Sequence, residues 1–204
     1  REFLNGSNIV FVTAGMGGGT GTGSAHYVAR IAKEQVRALT IGVVTMPFKA
    51  EGTVRMENAL DGLNKMRLIC DTTIVIPNDR LLELVPKLPV DAAFKVADEV
   101  LMQTIKGLTE IITKPDLINL DYADIMTVMN EGGVAFVGIG EGNSDEDDRV
   151  KSAVHEALTS PMLGEIELKD AKGALIRVVG GPDMTVGEAQ RVAEIVTNSV
   201  SPRA

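Results

Sequence analysis

Ala14-Gly-Met-Gly-Gly-Gly-Thr-Gly-Thr-Gly23 lies between two segments of different character. Before it, Asn8-Ile-Val-Phe-Val-Thr13 is a short apolar run rich in β-branched residues. After it, Ala25, Val28, Ala29 and Ala32 recur at helical spacing. Six of the ten residues in the stretch are glycine, so the backbone can approach a ligand closely and turn successive N–H groups toward it. The helix that follows adds its positive end, and Thr20 and Thr22 add two hydroxyls. A strand, a glycine loop and a helix in that order predict a phosphate cradle at the carboxyl end of a parallel strand, where ligands bind in such sheets. The plainer alternative is a flexible connection.

Outward from this stretch the pattern repeats. Thr40-Ile-Gly-Val-Val-Thr45 and Thr73-Ile-Val-Ile76 read as two more buried strands, the latter stopped by Pro77. Met56, Ala59, Leu60, Leu63 and Met66 mark an amphipathic helix between them. Unbroken apolar strands separated by helices predict an α/β fold with a parallel sheet covered on both faces. From Ala93 to Ile112 a helical period continues over roughly 20 residues, about 30 Å, between Pro89 and Pro115. Such a helix can act as a strut. Beyond it, Tyr122–Met129 reads as a helix, Val134–Ile139 as a strand, Asp148–Leu158 as a helix and Ala174–Val179 as a strand. Thr185-Val-Gly-Glu188 is a capping box that opens a last helix. The expected division is a nucleotide-binding part over 1–88, a linking helix over 89–115 and a second α/β part over 116–204.

Composition narrows the function. The 204 residues include 20 basic and 28 acidic side chains, a net charge of −8. A chain so acidic is poorly equipped to neutralise nucleic-acid phosphates. No apolar run approaches the roughly 18 residues of a membrane-spanning helix, so direct insertion is not expected. One cysteine, Cys70, leaves no internal disulfide and no multi-cysteine metal site, and points to a reducing compartment. The chain starts at Arg1, not Met, and enters its first strand almost at once, so it is expected to be a piece of a longer protein.

The phosphate ligand can be narrowed too. No Gly-x-x-x-x-Gly-Lys-[Ser/Thr] is present, so the loop is not a P-loop. Gly-x-Gly-x-x-Gly fails as well, because Gly15 and Gly17 lead to Thr20, and Gly17 and Gly19 lead to Thr22. The second failure disfavours a nicotinamide-dinucleotide oxidoreductase.

Gly17-Gly-Gly-Thr-Gly-Thr-Gly23 resembles the signature of the tubulin/FtsZ family of GTPases. Pro47-Phe-Lys-Ala-Glu-Gly-Thr-Val-Arg55, Ile76-Pro-Asn-Asp-Arg80, Ala92-Ala-Phe-Lys-Val-Ala-Asp98 and Asn119-Leu-Asp-Tyr-Ala-Asp124 are similar to the family's further motifs, in its order and spacing. Leu84-Val-Pro and Gly180-Gly-Pro-Asp183 look more like archaeal members than bacterial ones. The resemblance runs from Asn8 to the end.

The resemblance implies a GTPase of cell division, cytoplasmic and at the division site, that assembles head to tail with itself. It implies that Gly17, Gly18, Gly19, Thr20, Gly21, Thr22 and Gly23 hold the phosphates of GTP or GDP. A side chain on Gly21 is expected to abolish nucleotide binding with the domain still folded. Glu51 and Arg55 match residues near the ribose and phosphates; by spacing alone they also read as an exposed i,i+4 ion pair. Phe94 and Asp98 match a base-stacking ring and a guanine-selecting carboxylate; by spacing alone, a core phenylalanine and a solvated aspartate. Asn78 matches a base or sugar contact. Asn119, Asp121 and Asp124 match the acidic loop that reaches a neighbouring subunit's nucleotide and positions the attacking water; Asp121 and Asp124 also read as helix caps. Mg²⁺ is expected on the phosphates, with no separate protein metal site. The resemblance places an earlier glycine-rich loop, the last strands of the second domain and any membrane tether outside this chain. A filament protein with little hydrolysis, shaping cells, is the alternative within the family. His26 and Tyr27 depart from the family's usual Pro-Val, and His26 is expected at the surface.

Overall fold

The structure, a computed structural model, describes residues 2–84, 90–113, 122–129, 133–143, 148–163 and 168–200. Its elements in chain order are β1 (Ile9–Gly15), α1 (Gly19–Arg30), β2 (Leu39–Met46), α2 (Thr53–Ile69), β3 (Thr72–Pro77), α3 (Asn78–Leu84), α4 (Val90–Thr113), α5 (Tyr122–Met129), β4 (Val134–Ala135), α6 (Arg149–Leu158) and α7 (Val186–Ser199). They divide into two compact units, Arg1–Phe136 and Val137–Ala204.

In the first unit the four strands form one sheet in the order β1-β2-β3-β4, every neighbour parallel. The register places Val12 beside Gly42 and Gly42 beside Thr73. One face therefore carries Val10, Val12, Val44, Met46 and Val75, packed with Ala25, Ala29 and Ala32 of the α1 segment and with Ala59 and Met66 of α2. The alternate residues Ile41, Val43, Ile74 and Ile76 are as deeply buried on the other face. Burial on both faces is why β2 and β3 read as unbroken apolar runs. Gly42 is small because Met66 Cε would lie 2.9 Å from a Cβ there.

Asp71 staples the amino-terminal end of the sheet. Its carboxylate accepts from the Thr40 N–H at 2.8 Å and pairs with Lys33 at 3.0 Å. Lys33 lies in the π-helical turn Ile31–Val36 that ends α1, and Arg37 then takes a left-handed φ of 63°.

The strut is longer than its periodic core suggested: α4 has 24 residues, about 36 Å. α5 is held at the amino-terminal end of β3, where the Thr72 hydroxyl donates to the Met129 carbonyl. This tie keeps α5 in the first unit, so the boundary between compact units falls at Phe136/Val137 and not near residue 116.

Two expected strands are corrected. Val134–Ile139 supplies only the two-residue β4, and 173–180 makes no ladder among the described residues. An apolar β-branched run becomes a strand only where a neighbour accepts its backbone bonds. In the second unit, residues after β4 lie instead against α6. A Cβ on Gly138, Gly140 or Gly142 would overlap the carbonyl of Ala157, Ala153 or Arg149 respectively. Glycine at every second position of an extended segment thus matches every fourth position of the helix. Val150 and Val154 of α6 pack on Val196 of α7 and on Val200.

Candidate functional site

The glycine loop leaves β1 at its carboxyl end, where the Met16 N–H donates to Thr45 O at 2.9 Å. Gly17 is buried at φ 100°, and a Cβ on it would lie 2.8 Å from the Arg55 carbonyl oxygen. Only glycine meets both conditions. The Gly17 N–H donates to Thr22 Oγ1 at 2.8 Å. Gly18 is the N-cap of α1 and, having no side chain, makes no side-chain cap bond. The first-turn N–H groups of a helix need partners from outside it. Here the cap offers none, and Gly18, Gly19 and Gly23 face open space. That is the arrangement an anion requires.

Gly21 behaves differently. A Cβ there would overlap the Gly15 carbonyl oxygen, so this glycine lets α1 close onto β1. A side chain at Gly21 disturbs the fold itself, contrary to the expectation of a folded domain that merely fails to bind.

Glu51 and Arg55 flank the start of α2 beside this loop. Glu51 Oε1 accepts from the Phe48 N–H at 2.8 Å, and its other oxygen pairs with Arg55 at 3.1 Å. Phe48 is buried and meets the Phe94 ring edge to face, centroids 5.0 Å apart. This contact brings α4 to the carboxyl end of β2. Phe94 remains 43% exposed, so it is not a core residue. Asp98, one turn further along α4, is exposed. Asn78 follows β3 directly; it is 6% exposed and its Oδ1 has no hydrogen-bond partner among the described residues. Asp79 accepts from the Lys49 N–H at 3.0 Å and so fixes the β2–α2 connection.

The predicted residues thus separate into two groups. Gly17–Gly23, Glu51, Arg55, Asn78 and Phe94 gather at the carboxyl end of β1, β2 and β3. Asp124 is exposed in the first turn of α5, five residues before Met129, whose carbonyl is tied to Thr72 at the amino-terminal end of β3. Asn119 and Asp121 lie outside the described residues. Phe48 and Asp79, which hold the β2–α2 connection, were not singled out from sequence; no local spacing marks either. His26 is buried, not at the surface: its ring lies 4.2 Å from that of Tyr27, and Nδ1 has no partner among the described residues.

Two family models match the chain. The GTPase domain of the tubulin/FtsZ family covers residues 1–86, and the FtsZ family C-terminal domain covers 133–204. The chain belongs to the tubulin/FtsZ family. Among relatives of this family, cell division protein FtsZ 1 of Archaeoglobus fulgidus is 55% identical over 204 residues, all of this chain and 54% of that protein. The structure titled FtsZ dimer, empty, from M. jannaschii superposes with a TM-score of 0.93 at 51% identity, over the whole of this chain and 58% of that one. CetZ1 from Haloferax volcanii shares the fold, with a TM-score of 0.76 at 22% identity over 95% of this chain and 57% of its own. The chain spans about half the length of the curated FtsZ relatives it matches. The glycine loop, Glu51, Arg55 and Asn78 lie within the FtsZ-type GTPase domain match, whereas Phe94, Asp98 and Asp124 fall between the two matched ranges.

Proposed function

We propose that the full-length protein is a cell-division GTPase that binds GTP at the carboxyl end of β1–β3, polymerises head to tail, and hydrolyses GTP where two subunits meet. The observation that carries this reading is the separation of the two residue groups. β3 has six residues and covers about 20 Å. The loop stands at one end of the sheet and the Asp124 helix is tied to the other. One subunit does not close them on each other; a stacked copy does. A contact of one end on the other end is heterologous and propagates into a filament. The M. jannaschii relative of known structure is described as a dimer, which agrees with self-association.

Within the nucleotide site each group has a stated task. The uncapped N–H groups of α1 hold phosphate oxygens. Arg55, whose Cγ abuts Gly17, brings a positive charge to the loop, and Glu51 orients it. Phe94 stacks on the base. Asp98 accepts from guanine N1–H and N2–H₂, a donor pair adenine lacks. Asn78 Oδ1, buried without a donor among the described residues, receives one from the sugar or base; an orphaned acceptor costs about 1–3 kcal/mol. Asp124, with Asn119 and Asp121, positions the attacking water on the neighbour's nucleotide. Among the described residues no group of three His, Cys, Asp or Glu can hold a metal. Mg²⁺ is expected on the phosphates, and the exposed Thr20 hydroxyl would be the loop's own ligand to it. Bound there, Mg²⁺ neutralises charge on the transferred phosphoryl group.

The partner is a second copy of the chain. Nucleic acid is not a partner on grounds of charge. No helix among the described residues is long and apolar enough to cross a membrane. Identities of 52–55% with relatives named cell division protein FtsZ favour division over a structural filament. The test is equilibrium competition of GTP, GDP and ATP for the full-length protein. The reading expects both guanine nucleotides to exclude ATP; equal binding of ATP contradicts it.

A further inference from the structure

Thr22 holds an unusual position for a threonine in a first helical turn. Such hydroxyls ordinarily bond back to the carbonyl four residues earlier. Ser24 does this, donating to Thr20 O at 2.6 Å. Thr22 Oγ1 instead accepts from the Gly17 N–H, five residues back, at 2.8 Å. Its methyl points the other way, onto α2. A Cβ on Gly62 would lie 2.7 Å from Thr22 Cγ2 and 2.8 Å from Met16 Sδ. Gly62 is a buried glycine inside a 17-residue helix, where glycine is disfavoured relative to alanine. The close approach accounts for it. Arg55, two turns earlier on α2, abuts Gly17 from the other side.

We infer that Thr22 is a positioning residue that acts on nucleotide through Gly17, and that Gly62 sets its rotamer. The inference rests on the proposed GTP site. α2 braces the loop at two points: the Arg55 backbone bars any side chain at Gly17, and Gly62 gives Thr22 the room to turn its oxygen inward. With Oγ1 engaged, the Gly17 N–H is spent inside the loop. The N–H groups beyond Gly18 stay directed outward. The loop is thus shaped before phosphate arrives, and binding does not have to order it.

The test uses the full-length protein with Thr22→Val, Thr22→Ser and Gly62→Ala. Two quantities are measured: GTP and GDP affinity, and hydrogen exchange at the Gly17 amide in nucleotide-free protein. Valine keeps the shape and removes the acceptor, so affinity for both nucleotides falls about tenfold and Gly17 exchanges faster. Serine restores both quantities to within about threefold of wild type, because its oxygen still accepts. Gly62→Ala reproduces the valine phenotype with no substitution in the loop, because its methyl pushes on Thr22. Equal binding by wild type and Thr22→Val overturns the inference. So does a Thr22→Ser variant as weak as valine, which would mean that packing alone matters. If wild type itself binds no GTP, the functional reading fails instead, and Gly17 exchange in the same variants still decides whether Thr22 holds the loop.

Discussion

Gly21 and Gly15 touch backbone to backbone: a Cβ on Gly21 would overlap the Gly15 carbonyl oxygen. Glycines in one loop therefore do two jobs. Gly21→Val should lower the melting temperature by several degrees, as about 1–3 kcal/mol of overpacking does in a domain of this size. Gly19 faces open space. Gly19→Ala should leave melting unchanged within about one degree while weakening GTP binding. Thermal melting beside nucleotide titration separates the two, and equal melting temperatures would remove the distinction.

Asp98 is expected to carry guanine selectivity. Asp98→Ala in the full-length protein should weaken GTP binding by about 1–3 kcal/mol, the range for a polar contact left unmade. ATP binding should not weaken, so discrimination shrinks. A competition assay with unchanged GTP/ATP preference would refute the assignment.

Arg149 ties the starts of α6 and α7 together through Glu188, at 2.7 Å, and Asp183. Hydrogen bonds from Arg149 and from Thr185 hold Glu188 down at about 2, against its ordinary 4.5. Asp183 is lowered chiefly by the Arg149 hydrogen bond, and Asp148 chiefly by the Lys151 N–H. A depressed carboxylate stabilises the fold above its unfolded value and loses that contribution as pH falls toward its folded one. Stability of the second unit should therefore decline between about pH 4.5 and 2. Arg149→Met should flatten that decline, read as melting temperature against pH.

Cys70 is buried, and burial pushes its thiol up to about 11. Thiolate is the reactive form. A thiol reagent at pH 8 should leave it unmodified in native protein and label it once the chain is unfolded. Rapid native labelling would contradict its placement between Gly42 and Thr73.

The sequence and the structure agree where one local rule decides. β2 and β3 were legible because burial on both faces leaves an apolar, β-branched run, and β1, buried on one face, was legible from its β-branched run before the glycines. α5, α6 and α7 were legible from helical period, and α7 also from its capping box, where Thr185 accepts from the Glu188 N–H. Glycine density marked the loop. What stayed hidden depends on distant partners. Residues 136–139 and 174–179 have strand composition, but pairing is settled elsewhere in the chain. Gly138, Gly140 and Gly142 answer to α6, and Gly62 to Thr22. Arg149 and Glu188 are 39 residues apart in sequence. Thr22 was read as facing phosphate because hydroxyls in a glycine loop usually do; its oxygen turns inward to Gly17.

The central claim is that the hydrolytic site is shared between subunits, and phosphate release measured against protein concentration tests it most directly. Asp124→Ala should bind GTP nearly as wild type does, yet hydrolyse it at least ~10²-fold more slowly, the lower range for losing a positioned acid–base group. A loop mutant such as Gly19→Ala, mixed with Asp124→Ala, should regain activity, because one mixed interface joins an intact loop to an intact Asp124. Wild-type full-length protein should lose activity per molecule when diluted below its assembly concentration. A rate per molecule that stays constant through that dilution would contradict the shared site and leave Asp124 as a helix cap.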